Sequence, residues 1–116
     1  MSYDLLFSPL KIGNVIIKNR IVMAPMVMGT GCPNGTPSEQ MMSYYEQRAK
    51  NGVGLIITEA TRVDDITGVL HPLQLAMSRQ EHAAPFSEMV ERIHRHGAKV
   101  FCQLHHPGRQ SYSILI

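Results

Sequence analysis

Gln103, His105, His106 and Arg109 fall within one short stretch, Lys99 to Arg109, with the sequence KVFCQLHHPGR. A carboxamide, two imidazoles and a guanidinium bring hydrogen-bonding groups of three kinds close together, as a ligand site requires. The plainer reading is that they satisfy backbone groups in a surface turn, with Pro107 and Gly108 supplying the bend. Elsewhere the chemistry-bearing residues are sparser. Glu59 is a lone acid at the end of an apolar run; it could be a catalytic carboxylate, but no partner acid is near in sequence, and such a residue is more often hydrogen-bonded within the fold. His94 and His96, two positions apart, do not share a helical face, which speaks against a metal pair and for cations near a helix C-terminus. The loop Gly29 to Gly35, GTGCPNG, lacks the Lys-Ser/Thr pair of a phosphate-binding loop and reads as flexible.

The elements that must position the cluster shift the balance towards a site. Val100, Phe101, Cys102 and Leu104 form an apolar run too short for a helix, which predicts a core strand whose polar residues lie at its carboxyl end. The same design occurs twice earlier. Ile21 to Met23 is an apolar run ended by Ala24 and Pro25, and Leu55 to Ile57 is another, ended by Glu59 and Ala60. Each is followed by a helical pattern. Thr36, Pro37 and Glu39 predict a helix start with Met42, Tyr45 and Ala49 on one face and Asn51-Gly52 as its stop. Ser78 and Glu81 predict a second cap, Pro85 restarts the helix, and Phe86, Met89, Val90 and Ile93 make a stripe ending before Gly97. A long excursion, Thr61 to Met77, separates the second strand from this helix. Leu10 to Ile17, folded around Gly13 and Asn14, predicts an opening hairpin. Repeated strand-then-helix units imply a parallel sheet, and in parallel α/β folds ligands bind at the carboxyl ends of the strands.

Composition limits the alternatives. Eleven Lys plus Arg against nine Asp plus Glu give a net charge of +2, and no basic run marks a nucleic-acid surface. Two distant cysteines, Cys32 and Cys102, have neither zinc spacing nor the density of a disulfide framework, which fits a reducing cytoplasm. The N-terminus has no signal-peptide pattern, and no apolar run approaches membrane-spanning length; the expectation is a soluble cytoplasmic protein with no membrane partner.

KNRIVMAPM at Lys18 to Met26, the Tyr44-Tyr45 and Arg48-Ala49 pairs, GVGLIITEA at Gly52 to Ala60, HGAK at His96 to Lys99 and QLHHPGR at Gln103 to Arg109 together resemble the N-terminal part of the Old Yellow Enzyme family. These are the NADH:flavin oxidoreductases, which include 2,4-dienoyl-CoA reductases and enoate reductases. The resemblance covers essentially the whole chain, in order. It implies residues 1–116 as the first three β/α units of an FMN-binding TIM (β/α)8 barrel, with an N-terminal β-hairpin and the barrel incomplete. It also implies an FMN-dependent enzyme passing hydride from NAD(P)H to a small activated alkene of enone or enoyl type.

Under that resemblance Ala24, Pro25, Met26 and Val27 match the segment lying against the flavin, Ala60 the small residue after the second strand, and Gln103 the amide bonded to the flavin ring. Small residues allow backbone approach, and a carboxamide both donates and accepts, so the residue types suit those roles. His106 and Arg109 match QLxHxGR positions, with a structural or substrate-facing role. Val27 and Gly29 depart from relatives that carry a redox-tuning cysteine and a substrate-facing tyrosine there. A (β/α)8 barrel takes about 250 residues, so the chain reads as a truncated, inactive fragment lacking the substrate-binding His pair or His-Asn, the proton-donating tyrosine and the phosphate loops. A 4Fe-4S cluster and FAD belong only to a longer parent. Two alternatives stand beside this reading: a dihydrouridine synthase-like FMN barrel, and a non-catalytic remnant that self-associates as a homo-oligomer.

Overall fold

The computed structural model describes residues 2–112. The opening hairpin is present: β1 (Leu10–Ile12) and β2 (Val15–Ile17) pair antiparallel, with Leu10 opposite Ile17 and Ile12 opposite Val15. Gly13 closes it at φ 57°, a conformation that costs a residue with a side chain far more than glycine. The chain continues through β3 (Val22–Met23), α1 (Glu39–Lys50), β4 (Leu55–Ile57), β5 (Thr61–Arg62), α2 (Ala83–His94), β6 (Lys99–Phe101) and β7 (Leu104–His105).

As the strand-then-helix pattern predicts, β3, β4 and β6 form one parallel sheet in sequence order. Met23, Ile56 and Val100 lie in one cross-strand row and face the helices, where they meet Met42, Tyr45 and Ala49 of α1 and Phe86, Met89 and Ile93 of α2. Ile56 is fully buried at the centre of this layer. Side chains alternate along a strand, so the next row, Ile57 and Phe101, points to the other face, where both are only half-buried. Met23 packs against the helices rather than on that face because its register sets it beside Ile56.

Both helix starts differ from the sequence expectation for an identifiable reason. Asn34 Oδ1 accepts from the Thr36 amide and from its hydroxyl (3.2 and 2.8 Å), so Thr36 belongs to the preceding turn. The cap moves to Ser38, whose Oγ accepts from the Met41 amide at 3.1 Å. Before α2, a 3-10 turn (Gln80–His82) replaces the Ser78–Glu81 cap. The Arg79 amide donates to His82 Nδ1 at 3.2 Å, which leaves Nε2–H to donate to the Asn34 carbonyl at 2.9 Å. Pro85 then sits in the first turn of α2, where its missing amide costs least.

The excursion and the glycine loop account for each other. The Gly31 amide donates to Leu73 O (3.1 Å) and the Ala76 amide to Gly35 O (2.8 Å). A Cβ on Gly31 would stand 2.5 Å from Leu73 O, and one on Gly35 2.4 Å from the Ala76 Cβ, so larger residues would force the segments apart. The Gly29 to Gly35 loop is therefore a packed contact; its glycines serve close approach, not the flexibility expected of them. Beyond the bend after β4 the ladder resumes, with β5 parallel to β7 (Thr61 opposite Leu104, Arg62 opposite His105) and Arg62 bridged to Ala76. Among the described residues no helix is long and apolar enough to cross a membrane.

Candidate functional site

The shared carboxyl edge of the sheet brings three segments together: 24–28 after β3, 58–62 after β4, and 102–106 after β6. Thr58 N–H donates to Phe101 O (2.9 Å), Thr61 N–H to Gln103 O (2.8 Å), and Gln103 N–H to Thr58 Oγ1 (3.3 Å). The backbone of Gln103 is thus anchored on both sides. Its carboxamide, half-buried, makes no hydrogen bond among the described residues. Across the edge, Ala24 is exposed, Pro25 half-buried, and Met26 and Val27 exposed. Ala60 is buried, and its carbonyl accepts from Gln74 Nε2 at 2.7 Å.

Glu59 is buried completely and stands between two segments. Its Oε2 accepts from the Met28 amide (3.1 Å) and its Oε1 from the Leu75 amide (3.2 Å). The Glu59 amide donates to Tyr45 Oη of α1 at 2.9 Å. Burial pushes the carboxyl above the usual carboxylate range, against the pull of the two amides and the neighbouring His71. Burial likewise raises the Tyr45 hydroxyl. Gln74, also fully buried, completes the set: it donates to Ala60 O and accepts from the Leu70 amide at 2.9 Å. The sequence signalled Glu59 as a residue bonded within the fold, which is how it sits; Gln74 carried no signal, because its partners are backbone groups distant in sequence.

His106 is exposed and holds two segments together. The Gly108 amide donates to Nδ1 (3.0 Å), so Nε2–H faces Thr67 Oγ1 (3.0 Å), which in turn bonds Asp64 Oδ1 (3.0 Å). Arg109, on the 3-10 turn Gly108–Gln110, is exposed and makes no ion pair among the described residues. His105 is half-buried, with Nδ1 buried and unpartnered among the described residues. His96 Nε2 meets Glu46 Oε1 at 3.1 Å, at the amino-end side of the sheet. A cavity of about 390 Å³ between Asn34, Arg62, Asp65, Arg79 and Tyr112 is reached from this edge only at Arg62, the last residue of the segment after β4. Its two arginines both meet Asp65, at 2.8 and 2.6 Å, and Arg79 also meets the exposed Glu81 at 3.4 Å, so Asp65 alone balances one of the two positive charges.

Parallel strands in chain order with helices on one face are the arrangement found in part of a β/α barrel. The chain belongs to the NADH:flavin oxidoreductase / NADH oxidase family, whose profile matches residues 5–114. It is 44% identical over 106 residues to an NADH oxidase of Thermoanaerobacter brockii, covering 91% of this chain and 16% of that protein. An NADPH dehydrogenase of Halalkalibacterium halodurans is 44% identical over 107 residues, covering 91% of this chain and 31% of the relative. The fold is similar to the crystal structure of Old Yellow Enzyme from Pichia sp. AKU4542, with a TM-score of 0.84, 32% identity and coverage of 92% of this chain and 28% of that one. The chain spans less than a third of each of these proteins.

Proposed function

We propose that this chain is the cofactor-facing start of an FMN-dependent NAD(P)H oxidoreductase that reduces activated alkenes. The observation that carries the reading is the free Gln103 carboxamide on an anchored backbone, facing the same sheet edge as the exposed Ala24. The residues fit a flat heterocycle with ring carbonyl and ring N–H groups: the carboxamide can donate to one and accept from the other, and alanine leaves room for backbone approach. Bound there, FMN would supply two-electron chemistry between a nicotinamide donor and an electron-poor alkene.

In this reading Ala24 to Val27 line one side of the ring, Ala60 sets the depth, and Gln103 orients it. His106 holds the turn that presents Arg109. Both NADH oxidase and NADPH dehydrogenase occur among the relatives, so either nicotinamide suits the reading. A 4Fe-4S cluster and FAD remain a proposal for a parent as long as the NADH oxidase. Two separate free thiols, Cys32 and Cys102, suit a reducing cytoplasmic setting.

The test is to purify the natural full-length protein, titrate it with FMN and follow NADH and NADPH oxidation with a cyclic enone under anaerobic conditions. Stoichiometric FMN and enone-dependent oxidation above that of free flavin are expected. A protein that holds no FMN would overturn the cofactor reading, and FMN binding without enone turnover would overturn the alkene.

A further inference from the structure

We infer that Glu59 is a positioning residue for the cofactor-facing segment after β3, acting through the backbone of Met28; the inference rests on the flavin reading above. The segment Ala24 to Met28 has no strand partner of its own beyond Met23, since β3 ends there. What ties its far end to the sheet edge is the Glu59 carboxylate, which takes the Met28 amide on one oxygen and the Leu75 amide on the other. The anchor is itself rigid. Glu59 is fully buried, its amide is bonded to the equally buried Tyr45 Oη, and the adjacent Ala60 carbonyl is held by Gln74.

The geometry suits a carboxyl group. Each of the two N–H donors meets its own oxygen, and both oxygens of a carboxyl group can accept. A carboxamide of the same shape would turn an NH2 group towards one of the amides, so Glu59→Gln must release either Met28 or Leu75. Aspartate keeps the charge and both oxygens but is one methylene shorter, so Glu59→Asp must lose reach to at least one partner. Tyr45→Phe is the contrasting variant: it removes a hydroxyl from the Glu59 amide and leaves both carboxylate contacts in place.

The experiment uses the full-length protein and two readouts. Amide hydrogen exchange is followed at Met28 and Leu75 in the flavin-free protein, and FMN affinity and the flavin absorption envelope are measured by titration. Glu59→Gln should speed exchange at one of the two amides by about tenfold or more and weaken FMN by a similar factor, with a changed flavin spectrum. Tyr45→Phe should lower the melting temperature while leaving exchange at Met28 and the spectrum as in wild type. Gln103→Leu serves as the check on the flavin reading. If Gln103→Leu weakens FMN and Glu59→Gln matches wild type in both readouts, the positioning role is overturned while the flavin reading stands. If wild type binds no FMN, both fall. Should Glu59→Gln fail to fold, Glu59→Asp carries the same test, with faster exchange at Met28 or Leu75 expected and unchanged exchange overturning the role.

Discussion

The ends of β4 and β6 lie side by side on one sheet edge, each bearing polar residues, yet they differ in what covers them. After β4, Thr58, Glu59, Thr61, Arg62 and Gln74 are all buried and all hydrogen-bonded, because the chain turns back over them through residues 61–77 and is met there by the Gly29 to Gly35 loop. After β6, Gln103 keeps a carboxamide without a hydrogen bond among the described residues, Leu104 is 63% exposed, and Arg109 stands on a short turn. Similar residue types therefore make scaffold in one place and a ligand-facing surface in the other. The difference lies in whether a later segment supplies partners, not in the strand ends themselves.

The largest expected effect concerns what the uncovered end needs. The 116-residue chain produced alone should neither hold FMN tightly nor catalyse enone-dependent NAD(P)H oxidation above free flavin. Its sheet is open on the face bearing Ile57 and Phe101, and Val22, Met26, Val27 and Leu104 add exposed apolar surface at its edge, so association is the expected escape. Light scattering and a flavin titration check this. A stable monomer with bound FMN and turnover would show that the β6 end is already complete. Next in size is Ile56→Ala, beneath both ends. Removing a fully buried side chain between the sheet and the two helices should cost about 2–5 kcal/mol in urea unfolding of the full-length protein.

A crossed pair of glutamine substitutions sharpens the comparison itself. Gln74→Leu leaves Ala60 O and the Leu70 amide without their partner, so it should destabilise by about 1–3 kcal/mol. Gln103→Leu removes no internal hydrogen bond, so its stability should stay within about 0.5 kcal/mol of wild type. FMN affinity should respond most to the second substitution, by roughly tenfold to a hundredfold if a flavin group loses its partner. Equal stability losses, with equal flavin affinities, would erase the distinction between scaffold and ligand-facing end.

How much of this was legible in the residues follows from the range of the forces involved. The hairpin at Gly13, the three parallel strands and the apolar stripes of both helices depend on local periodicity and form as it predicts, except that Ile21 falls just before β3 and the third run breaks after Phe101, leaving Cys102 and Leu104 exposed. The parallel order follows from repeated strand-helix units. The first cap was displaced because Asn34, only two residues before Thr36, takes its amide and hydroxyl in a local turn; the second start is set by His82, which takes the Arg79 amide and reaches the Asn34 carbonyl, distant in sequence. The same distance hid Gln74 and the tight packing of Gly31 and Gly35. Of the candidate site, the strand-end positions of Ala24, Ala60 and Gln103 were readable; which of the polar side chains would remain free was not, since that depends on the fold of the excursion.

The smallest effect is expected far from both ends, on the outer surface where the helices meet. Arg92 of α2 reaches Glu39 at 2.6 and 2.8 Å and Glu88 at 3.0 Å. The Arg92 hydrogen bond holds the Glu39 carboxyl below the usual range. A lowered folded value means that the pair stabilises above the ordinary glutamate pKa and that this contribution is lost as pH falls through the lowered one. The carboxylates are nevertheless exposed, and exposed pairs give up much of their attraction to water, to side-chain ordering and to salt. Arg92→Ala should therefore shift the melting temperature least of the set, by an amount that shrinks as salt is added or as pH falls below the glutamate range, and it should leave FMN affinity unchanged. A loss larger than that of Gln74→Leu would mean that the α1–α2 contact, rather than the covered end of β4, holds this part of the barrel together.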